Sequence, residues 1–553
     1  MHNAPIDRSL RWLYAALALC AILWMATLGA RALLDPDEGR YGEIPREMAA
    51  SGDWLTPRLN DLKYFEKPPL QYWTTAIAYK AFGVNEFSAR LWCGLTGLLG
   101  IFAAAWMGAR LFGRTAGVVA AAVLGSSLMY AVLGHINTLD MGLAFFLQLA
   151  IGAFLLAQQA PPASSSERNW MLLAWAAAAL AVLSKGIVAL ALPTLTLLAY
   201  TAIERETSAW RRLHIKLGLP VFLALTAPWF IAVSLKNPEF ARFFFLHEHF
   251  QRFLTDEAKR VQPWWYFVPL LLIGSLPWTE LAVTAVIGRW RSSPSAPAGF
   301  RSQRFLVLWI VVTLLFFSVS QSKLPPYILP VLPAVAWLIG DHVSQCAAGS
   351  MRRRFMALAI FWLLALVYVL FGPLPTRDDA SPEMFRQVFD WAAAGFALAL
   401  AGAICAWWLA RRERILASTV CAAFGALLAV SSLFADFDLL RHVRSRRDLA
   451  QQLAPLADPN KPFYSVWTYD HSLSFYLGRA LTVVDYRGEL EFGQQQEPTK
   501  SLPNTKAFLG KWLQDPPGTL AVMKPDAYQE LVGMGAPMTV IERGLELIAV
   551  KKP

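Results

Sequence analysis

Long apolar runs recur along this chain at short intervals, and each is about as long as a bilayer is thick. About 20 helical residues are needed to cross the hydrocarbon core of a membrane, which is about 30 Å thick. Only 16% of the 553 residues are charged, whereas a soluble chain carries about a quarter. The sequence therefore predicts a polytopic α-helical membrane protein with about thirteen transmembrane helices.

The predicted spans share a high content of Leu, Ala, Val and Phe and an almost complete lack of charge. They are Trp12–Ala30, Leu91–Ala109, Ala116–Gly134, Met141–Leu156, Met171–Leu183, Ile187–Ala202, Leu217–Leu235, Trp265–Ile287, Phe305–Val319, Ile328–Gly340, Phe355–Leu370, Ala392–Ala410 and Leu416–Phe434.

Basic residues mark one side of these spans. Arg8 and Arg11 precede the first span, and arginines return in every second connection, as at Arg110, Arg114 and 352–354. Because short cytoplasmic loops carry the excess of Lys and Arg, the N-terminus is predicted to be cytoplasmic and the C-terminal tail periplasmic. The first span is too long for a signal peptide and lacks a cleavage site, so it is predicted to stay as an anchor.

The net charge and the cysteines argue against two other functions. The net charge is +11, but the basic residues lie in short loops between spans, which reflects topology and not a nucleic-acid surface. The five cysteines contain no CxxC spacing, so the sequence predicts neither a cysteine metal cluster nor a disulfide framework.

Three longer segments fall on the predicted external side. Residues 35–90 are predicted to form helices along the membrane interface, and residues 236–263 are rich in Phe, His and Arg. In the tail, short strand and helix patterns alternate, which predicts a periplasmic α/β domain over 436–553 after a membrane domain over 1–435. The predicted strands are Phe463–Trp467, Leu481–Val484, Thr519–Met523 and Leu545–Val550, and the predicted helices are Leu473–Leu477, Thr505–Leu513 and Asp526–Leu531.

Polar clusters converge on the same external side. They comprise residues 35–43, 64–69, 135–140, 247–253 and 321–330. The polar rim that membrane helices normally carry explains any one of them. All five lie on one side, however, while the internal loops hold mainly arginine. The clusters are therefore predicted to form the edge of a site.

Several acids and a histidine in these clusters have a structural and a functional interpretation. Asp37 and Asp140 stand where a helix begins, so each either caps its helix or acts in the site. His247 and Glu66 are candidate metal ligands, although their spacing matches no metal motif.

Prolines restrict two of the candidate lysines. Lys67 precedes Pro68, which excludes a position inside a helix. Its ammonium either contacts a phosphate or extends towards the interface. Pro325 lies between Lys323 and Tyr327 and excludes a regular α-helical turn there.

The motifs that carry these residues resemble a known family. In order and spacing, DPDEGRYGEIPREM, GDWLTPRLNDLKYFEKPPLQYW, LSKG, PWF, HEHFQRF and FFSVSQSKLPPYILP resemble the bacterial lipid A 4-amino-4-deoxy-L-arabinose transferases. That family belongs to the GT-C glycosyltransferases related to the protein O-mannosyltransferases. The resemblance covers residues 35–330. It implies a GT-C fold and an inner-membrane enzyme that transfers the aminosugar from undecaprenyl phosphate to a lipid A phosphate in the periplasm.

The resemblance also implies roles for individual residues. The catalytic candidates are the carboxylates Asp37, Asp140 and Glu66. Asp37 is the candidate to act as a base or to orient the acceptor, and the other two are candidates to bind the 4-ammonium group of the sugar. The donor-phosphate candidates are Lys67, Arg252, Tyr327, Tyr64, Arg40, Tyr41 and Lys323. The sequence establishes no cofactor, and a divalent metal ion bound by Glu66 and His247, which would neutralise phosphate, is left open.

Two rival functions remain open at this point. A GT-C transferase for another polyprenyl-linked sugar, acting on lipid or protein, would share the same motifs. A lipid transporter would show repeated halves and ionisable residues in the middle of its spans. The spans here are almost free of charge, which favours the enzyme. Membrane lipids, the lipid-linked donor and lipid A are the predicted partners, and nucleic acid is not.

Overall fold

The computed structural model describes residues 18–251, 261–292, 299–374, 382–437, 444–544 and 546–553. The chain divides into two compact units. The first is Met1–Ala30 with Arg90–Phe437, and the second is Arg31–Ala89 with Asp438–Pro553. The segment Arg31–Ala89, which holds most of the first predicted external segment, therefore folds together with the C-terminal tail. The predicted domain boundary at residue 435 stays a prediction.

The first unit is built from helices. They are Glu86–Phe112 (which begins in the second unit), Arg114–Ser126, Leu128–Leu133, Asp140–Gln159, Ser165–Lys185, Val188–Glu204, Ser208–Arg211, Ile215–Lys236, the π-helix Arg242–Gln251, Phe267–Gly274, Thr279–Arg291, Ser302–Val319, the 3₁₀ helix Pro325–Val331, Leu332–Val343, Ala348–Phe371, Pro382–Arg411 and Ile415–Phe437.

The polytopic helical architecture is confirmed, but the count of thirteen spans is not. Among the described residues, eight helices are long and apolar enough to cross a membrane, or nine if one bent pair counts as a span. Two predicted spans correspond to helices of only 13 and 17 residues, Arg114–Ser126 and Val188–Glu204. The start of the first predicted span, Trp12–Ala30, lies outside the described residues.

The predicted span Trp265–Ile287 is wrong as a single helix. The chain forms two helices there, Phe267–Gly274 and Thr279–Arg291, whose axes differ by 113°. Pro277 lies in the break between them. Proline has no backbone N–H to donate, and its ring clashes with the preceding turn, so a helix cannot run through this position undisturbed.

Small residues allow the helices of the first unit to approach closely. A Cβ on Gly340 would lie 2.3 Å from the carbonyl oxygen of Ala116, and one on Gly402 would lie 2.9 Å from that of Cys421. Helices in a membrane associate largely through such close backbone packing. The helix Asp140–Gln159 is central, because 94% of its 18-residue apolar stretch is buried. In the helix Ala348–Phe371, only 6% of the corresponding stretch is buried.

In the second unit, residues 35–90 form two helices and a small hairpin. The helices are Asp37–Ser51 and Leu70–Phe82, and the antiparallel strands are β1 (Arg58–Leu59) and β2 (Leu62–Lys63). The first helix has two acids in its first turn, where they favour the helix dipole. It ends at Gly52, whose φ of 74° suits a left-handed cap.

The tail forms the predicted α/β domain. Its strands are β3 (Phe463–Val466), β4 (Thr482–Val484), β5 (Ser501–Leu502), β6 (Leu520–Met523), β7 (Thr539–Arg543) and β8 (Ile548–Lys551), in the order β5-β4-β3-β6-β8-β7. Its helices are Arg447–Leu453, Ala454–Leu456, His471–Leu477, Gly488–Leu490, Glu491–Gln496, Pro498–Lys500, Thr505–Gln514 and Pro525–Gly533. The four predicted strands and three predicted helices are confirmed to within a few residues. The sequence patterns missed β5 and β7.

Alternating side chains of this sheet build two cores. Tyr464 of β3 and Met523 of β6 belong to one buried cluster, together with Trp512. Their neighbours Phe463 and Val522 belong to a second cluster. The first four strands are parallel, and both faces of such a sheet are normally covered.

Candidate active site

An aspartate, a lysine and a tyrosine meet in the first unit. Asp140 forms a short ion pair with Lys185. The Lys185 ammonium also lies 4.8 Å from the ring centroid of Tyr327. The side chains of Asp140 and Lys185 are only 9% and 16% exposed, so the charges are largely removed from solvent. A buried pair of this kind is stable only while both partners are present.

Local sequence explains how these side chains are presented. Asp140 is the first residue of its helix, but Leu139 occupies the cap position and no side chain caps the helix. The capping interpretation of Asp140 is therefore wrong, and its carboxylate serves Lys185 instead. Lys185 is the last residue of a helix that ends at Gly186, whose φ is 86°. Only glycine adopts this conformation without strain.

The predicted proline-rich segment also takes the expected form. Pro325–Val331 is a 3₁₀ helix, so no α-helical turn links Lys323 to Tyr327. Lys323 is buried and donates a 2.6 Å hydrogen bond to the carbonyl oxygen of Ser320. Tyr327 packs against Phe317, with ring centroids 5.1 Å apart.

Sequence reasoning gave no role to Lys185, although LSKG was one of the family motifs. One signal was available. A lysine between two apolar runs is rare in a membrane protein, and such residues usually pair with another group in the interior. Lys185 follows this rule by pairing with Asp140.

In the second unit, a chain of charged residues surrounds the start of the helix Asp37–Ser51. Arg40 donates a hydrogen bond of 3.1 Å to Asp37, and its Nε lies 2.6 Å from a carboxylate oxygen of Glu489. The other oxygen of Glu489 lies 2.5 Å from Nε2 of His471. Pro36 occupies the helix cap without a side-chain hydrogen bond. The capping interpretation of Asp37 is therefore also wrong.

Aromatic residues adjoin this charged chain. Tyr41 stacks on Tyr72 with ring centroids 6.4 Å apart, and the Arg40 guanidinium lies 5.5 Å from the Tyr41 ring. Burial raises the pKa of Tyr64 and the charge of Glu66 raises it further, while Arg40 opposes the shift. The Tyr64 hydroxyl therefore stays protonated and able to donate a hydrogen bond near neutral pH.

The loop before the helix Leu70–Phe82 presents Glu66 and Lys67. Both are half-buried, and the Lys67 ammonium donates a 2.8 Å hydrogen bond to the carbonyl oxygen of Glu66. The helix begins only after Pro69. The prediction that Lys67 lies outside a helix is confirmed.

The charges of the second unit shift the pKa values of two buried acids in opposite directions. Burial raises the pKa of Asp35 to about 6, and the neighbouring Asp470 adds to this, against the opposing effects of His471 and Ser472. Burial acts on Glu489 in the same sense, but His471 and Arg40 outweigh it and lower the pKa of Glu489. Glu489 is thus a fixed negative charge.

The described part of the chain shows no set of ligands for the predicted metal ion. Within those residues, no group of three or more His, Cys, Asp or Glu side chains is arranged to hold a metal ion. Glu66 and His247 belong to different compact units. His247 lies 3.6 Å from Glu248 and stacks on Phe243. Arg252 lies outside the described residues. A metal ion held by Glu66 and His247 stays a prediction.

Each unit therefore contributes its own set of charged and hydroxyl groups. The first unit offers the cation Lys185 beside Tyr327 and, elsewhere, the buried cation Lys323. The second unit offers Asp37, which is 42% exposed, beside the buried Arg40. Cations and hydroxyls suit an anionic substrate, and an accessible carboxylate suits a base.

Comparisons with known proteins give the family. The family model for dolichyl-phosphate-mannose-protein mannosyltransferase matches residues 9–244, and that for the aminoarabinose transferase C-terminal domain matches residues 449–552. An undecaprenyl phosphate-α-4-amino-4-deoxy-L-arabinose arabinosyl transferase of Erwinia tasmaniensis is 32% identical over 398 residues, 69% of this chain and 71% of the relative. One from Pseudomonas paraeruginosa is 33% identical over 71% of this chain and 72% of its own.

Solved structures agree along nearly the whole chain. The crystal structure of ArnT from Cupriavidus metallidurans bound to undecaprenyl phosphate has a TM-score of 0.92 and 37% identity, and the alignment covers 98% of each chain. The structure of the same protein in the apo state has a TM-score of 0.91.

The helical membrane fold, the α/β tail and the charged clusters thus define a multi-pass membrane glycosyltransferase with the GT-C fold. The chain belongs to the aminoarabinose transferase family. The resemblance that the motifs indicated is confirmed.

Proposed function

We propose that this enzyme transfers 4-amino-4-deoxy-L-arabinose from undecaprenyl phosphate to a phosphate of lipid A, on the periplasmic side of the bacterial inner membrane. The observation that carries the proposal is the match over 98% of the chain to ArnT bound to undecaprenyl phosphate. The cytoplasmic N-terminus and periplasmic tail follow from the arginine-rich loops. The transfer would lower the negative charge of lipid A and confer resistance to polymyxin and other cationic peptides.

The chemistry of these substrates suits the residues present. An acceptor phosphate is already an oxyanion at neutral pH, so it needs less help from a base than a hydroxyl would. The larger task is to stabilise the charge that accumulates on the departing prenyl phosphate. Lys67, Arg252, Tyr327 and Lys323 are our candidates for this task, and Lys185 adds a cation beside Tyr327.

The carboxylates are candidates to contact the acceptor and the sugar. Asp37 is the candidate to orient or deprotonate the acceptor, because it is the more exposed member of its ion pair with Arg40. Asp140 and Glu66 are the candidates to attract the 4-ammonium group of the sugar. Since Asp140 already pairs with Lys185, a bound sugar would share that carboxylate with the lysine.

Mass spectrometry of lipid A tests the proposal. The chain is expressed in a host that lacks its own transferase but makes the lipid-linked aminosugar. We expect a mass gain of one aminoarabinose on lipid A from the wild type, and none from Asp37→Asn at equal protein level. Asp61→Asn is the matched control, because Asp61 is an exposed acid of the same segment and its loss should leave transfer intact.

Two outcomes would contradict the proposal. Lipid A that stays unmodified with the wild type would reassign the sugar or the acceptor, and other prenyl-linked sugars would then be screened. Full transfer by Asp37→Asn would remove Asp37 from the mechanism. Chelation tests the metal prediction separately, since transfer that survives the removal of divalent ions would argue against a metal held by Glu66 and His247.

A further inference from the structure

A residue of the C-terminal tail reaches the helix that carries Asp37. Glu489 lies in the 3₁₀ helix Gly488–Leu490, and its carboxylate contacts Arg40 at 2.6 Å. Arg40 in turn contacts Asp37 at 3.1 Å. Three charged side chains therefore stand in a row, and the outermost one is the candidate base.

Asp37 is the exposed end of this row, and the other two side chains are largely buried. The Asp37 side chain is 42% exposed, that of Arg40 is 8% exposed, and that of Glu489 is 17% exposed. A guanidinium is planar and presents its donors in a rigid fork. With its Nε turned to Glu489, the Arg40 fork presents Nη1 to Asp37. Arg40 thus contacts both carboxylates at once.

Glu489 is itself held from the other side. Nε2 of His471 lies 2.5 Å from its second oxygen, and His471 begins the helix His471–Leu477. The next residue, Ser472, donates its backbone N–H to Asp35 at 2.8 Å. A Cβ on Gly39 would lie 2.5 Å from that same nitrogen. The tail helix therefore contacts both Asp35 and the Asp37 helix closely, next to the charged row.

We propose that Glu489 is a positioning residue, which holds Arg40 so that Arg40 orients the Asp37 carboxylate for transfer. The proposal rests on the proposed function and gives the tail a part in it. It also gives Arg40 a role different from the donor-phosphate binding predicted from sequence. Arg40 is buried and already faces two carboxylates, either of which suffices to balance its single positive charge.

This arrangement predicts a specific kinetic signature. Loss of the Glu489 charge leaves Arg40 with one carboxylate, so the guanidinium can turn and carry Asp37 with it. A group that is misplaced by about 1 Å can lower the rate by about 100-fold. Because Asp37 acts on the acceptor and not on the carrier lipid, kcat should fall while the KM for the lipid-linked donor stays unchanged.

The test compares Glu489→Gln with Glu497→Gln in the full-length protein. Glu497 is a matched control, since it is also a tail acid that pairs with the first external segment, through Arg58 at 3.0 Å, and it is 18% exposed. We expect Glu489→Gln to lower kcat at least tenfold with the donor KM within twofold of wild type. Glu497→Gln should change neither value. Thermal unfolding of each variant measures any general loss of structure.

A second variant covers the case in which Glu489→Gln does not fold. Arg40→Lys keeps the positive charge but loses the fork that spans two carboxylates. It should also lower kcat and leave the donor KM unchanged. If Arg40 binds the donor phosphate instead, the variant should raise the donor KM, because lysine and arginine contact phosphate differently.

Each outcome decides one claim. An unchanged kcat in folded Glu489→Gln would overturn the positioning role, and so would a raised donor KM with an unchanged kcat. A wild type that transfers no aminoarabinose to lipid A would refute the proposed function, and with it the role given to Asp37. A low kcat in both glutamate variants would show only a general need for an intact tail and would also overturn the proposal.

Discussion

Removal of the Lys185 ammonium should destabilise the protein and stop transfer. The Asp140 and Lys185 side chains are 9% and 16% exposed, so the pair is shielded from water. When one partner of a buried pair is removed, the other charge stays buried without compensation, at a cost of about 3–5 kcal/mol. Lys185→Met, which keeps the length of the side chain, should lower the free energy of unfolding by this amount.

The double variant Asp140→Asn/Lys185→Met separates structure from function. Replacement of both members of a buried ion pair by neutral groups of similar volume is often close to neutral for stability. The double variant should therefore recover most of the stability that either single variant loses. The non-additivity measures the coupling of the two charges. Transfer should not recover, because the cation beside Tyr327 is gone.

The assays are thermal unfolding of the purified protein in detergent and mass spectrometry of lipid A from expressing cells. Arg304→Met is the control, because Arg304 pairs with Glu204 at 2.6 Å in the same unit and lies among no candidate site residues. It should cost stability without stopping transfer. A double variant with wild-type transfer would show that the pair is purely structural. A Lys185→Met protein as stable as the wild type would refute the argument from burial.

Three further predictions concern the second unit. Gly39→Ala should lower the free energy of unfolding by about 1–3 kcal/mol, because its Cβ would lie 2.5 Å from the Ser472 nitrogen. Gly533→Ala, where a Cβ meets nothing within 4 Å, should not, and equal unfolding temperatures for the two would contradict the packing argument. Since burial raises the pKa of Asp35 to about 6, the folded state binds this proton more tightly than the unfolded state does. Its contribution to stability is full below pH 4 and is lost as the pH rises through 6. The unfolding temperature of Asp35→Asn relative to wild type should therefore increase from pH 4 to pH 7, and a constant difference would speak against the shifted pKa. Tyr64→Phe should leave the unfolding temperature unchanged, because no group among the described residues hydrogen-bonds its buried hydroxyl. It should raise the donor KM, and an unchanged donor KM would remove Tyr64 from the donor site.

Two predictions made from prolines are confirmed by the structure. The residues before Pro68 and around Pro325 lie outside α-helices as predicted, because the effect of proline on the backbone is local. Pro277 lies in the break of the predicted span 265–287, but a proline alone does not predict such a break, since the helix Ile215–Lys236 runs through Pro220 and Pro228. Apolar composition alone could not reveal that break, since both halves are apolar.

The candidate site shows where local reasoning ends. Asp37 and Asp140 each stand at the first position of a helix, a place that a sequence pattern associates with caps. The Asp37–Arg40 pair is local, since the two residues are three positions apart on one helix. Only the structure shows that Arg40 also meets Glu489 and that Asp140 meets Lys185. The site roles assigned to Lys67, Glu66 and Tyr327 stay predictions.

The sequence by itself determined the membrane-spanning character, the α/β tail and the family. Each follows from hydropathy, periodicity or motifs within a short stretch, where neighbouring residues suffice. The tertiary structure alone decided which charged and polar groups pair across long stretches of sequence. Lys185 and Asp140 are 45 positions apart, and Asp35 and Ser472 are 437 apart. No local pattern encodes such pairs, because a buried charge takes its partner from whatever side chain the packing of distant elements brings within reach.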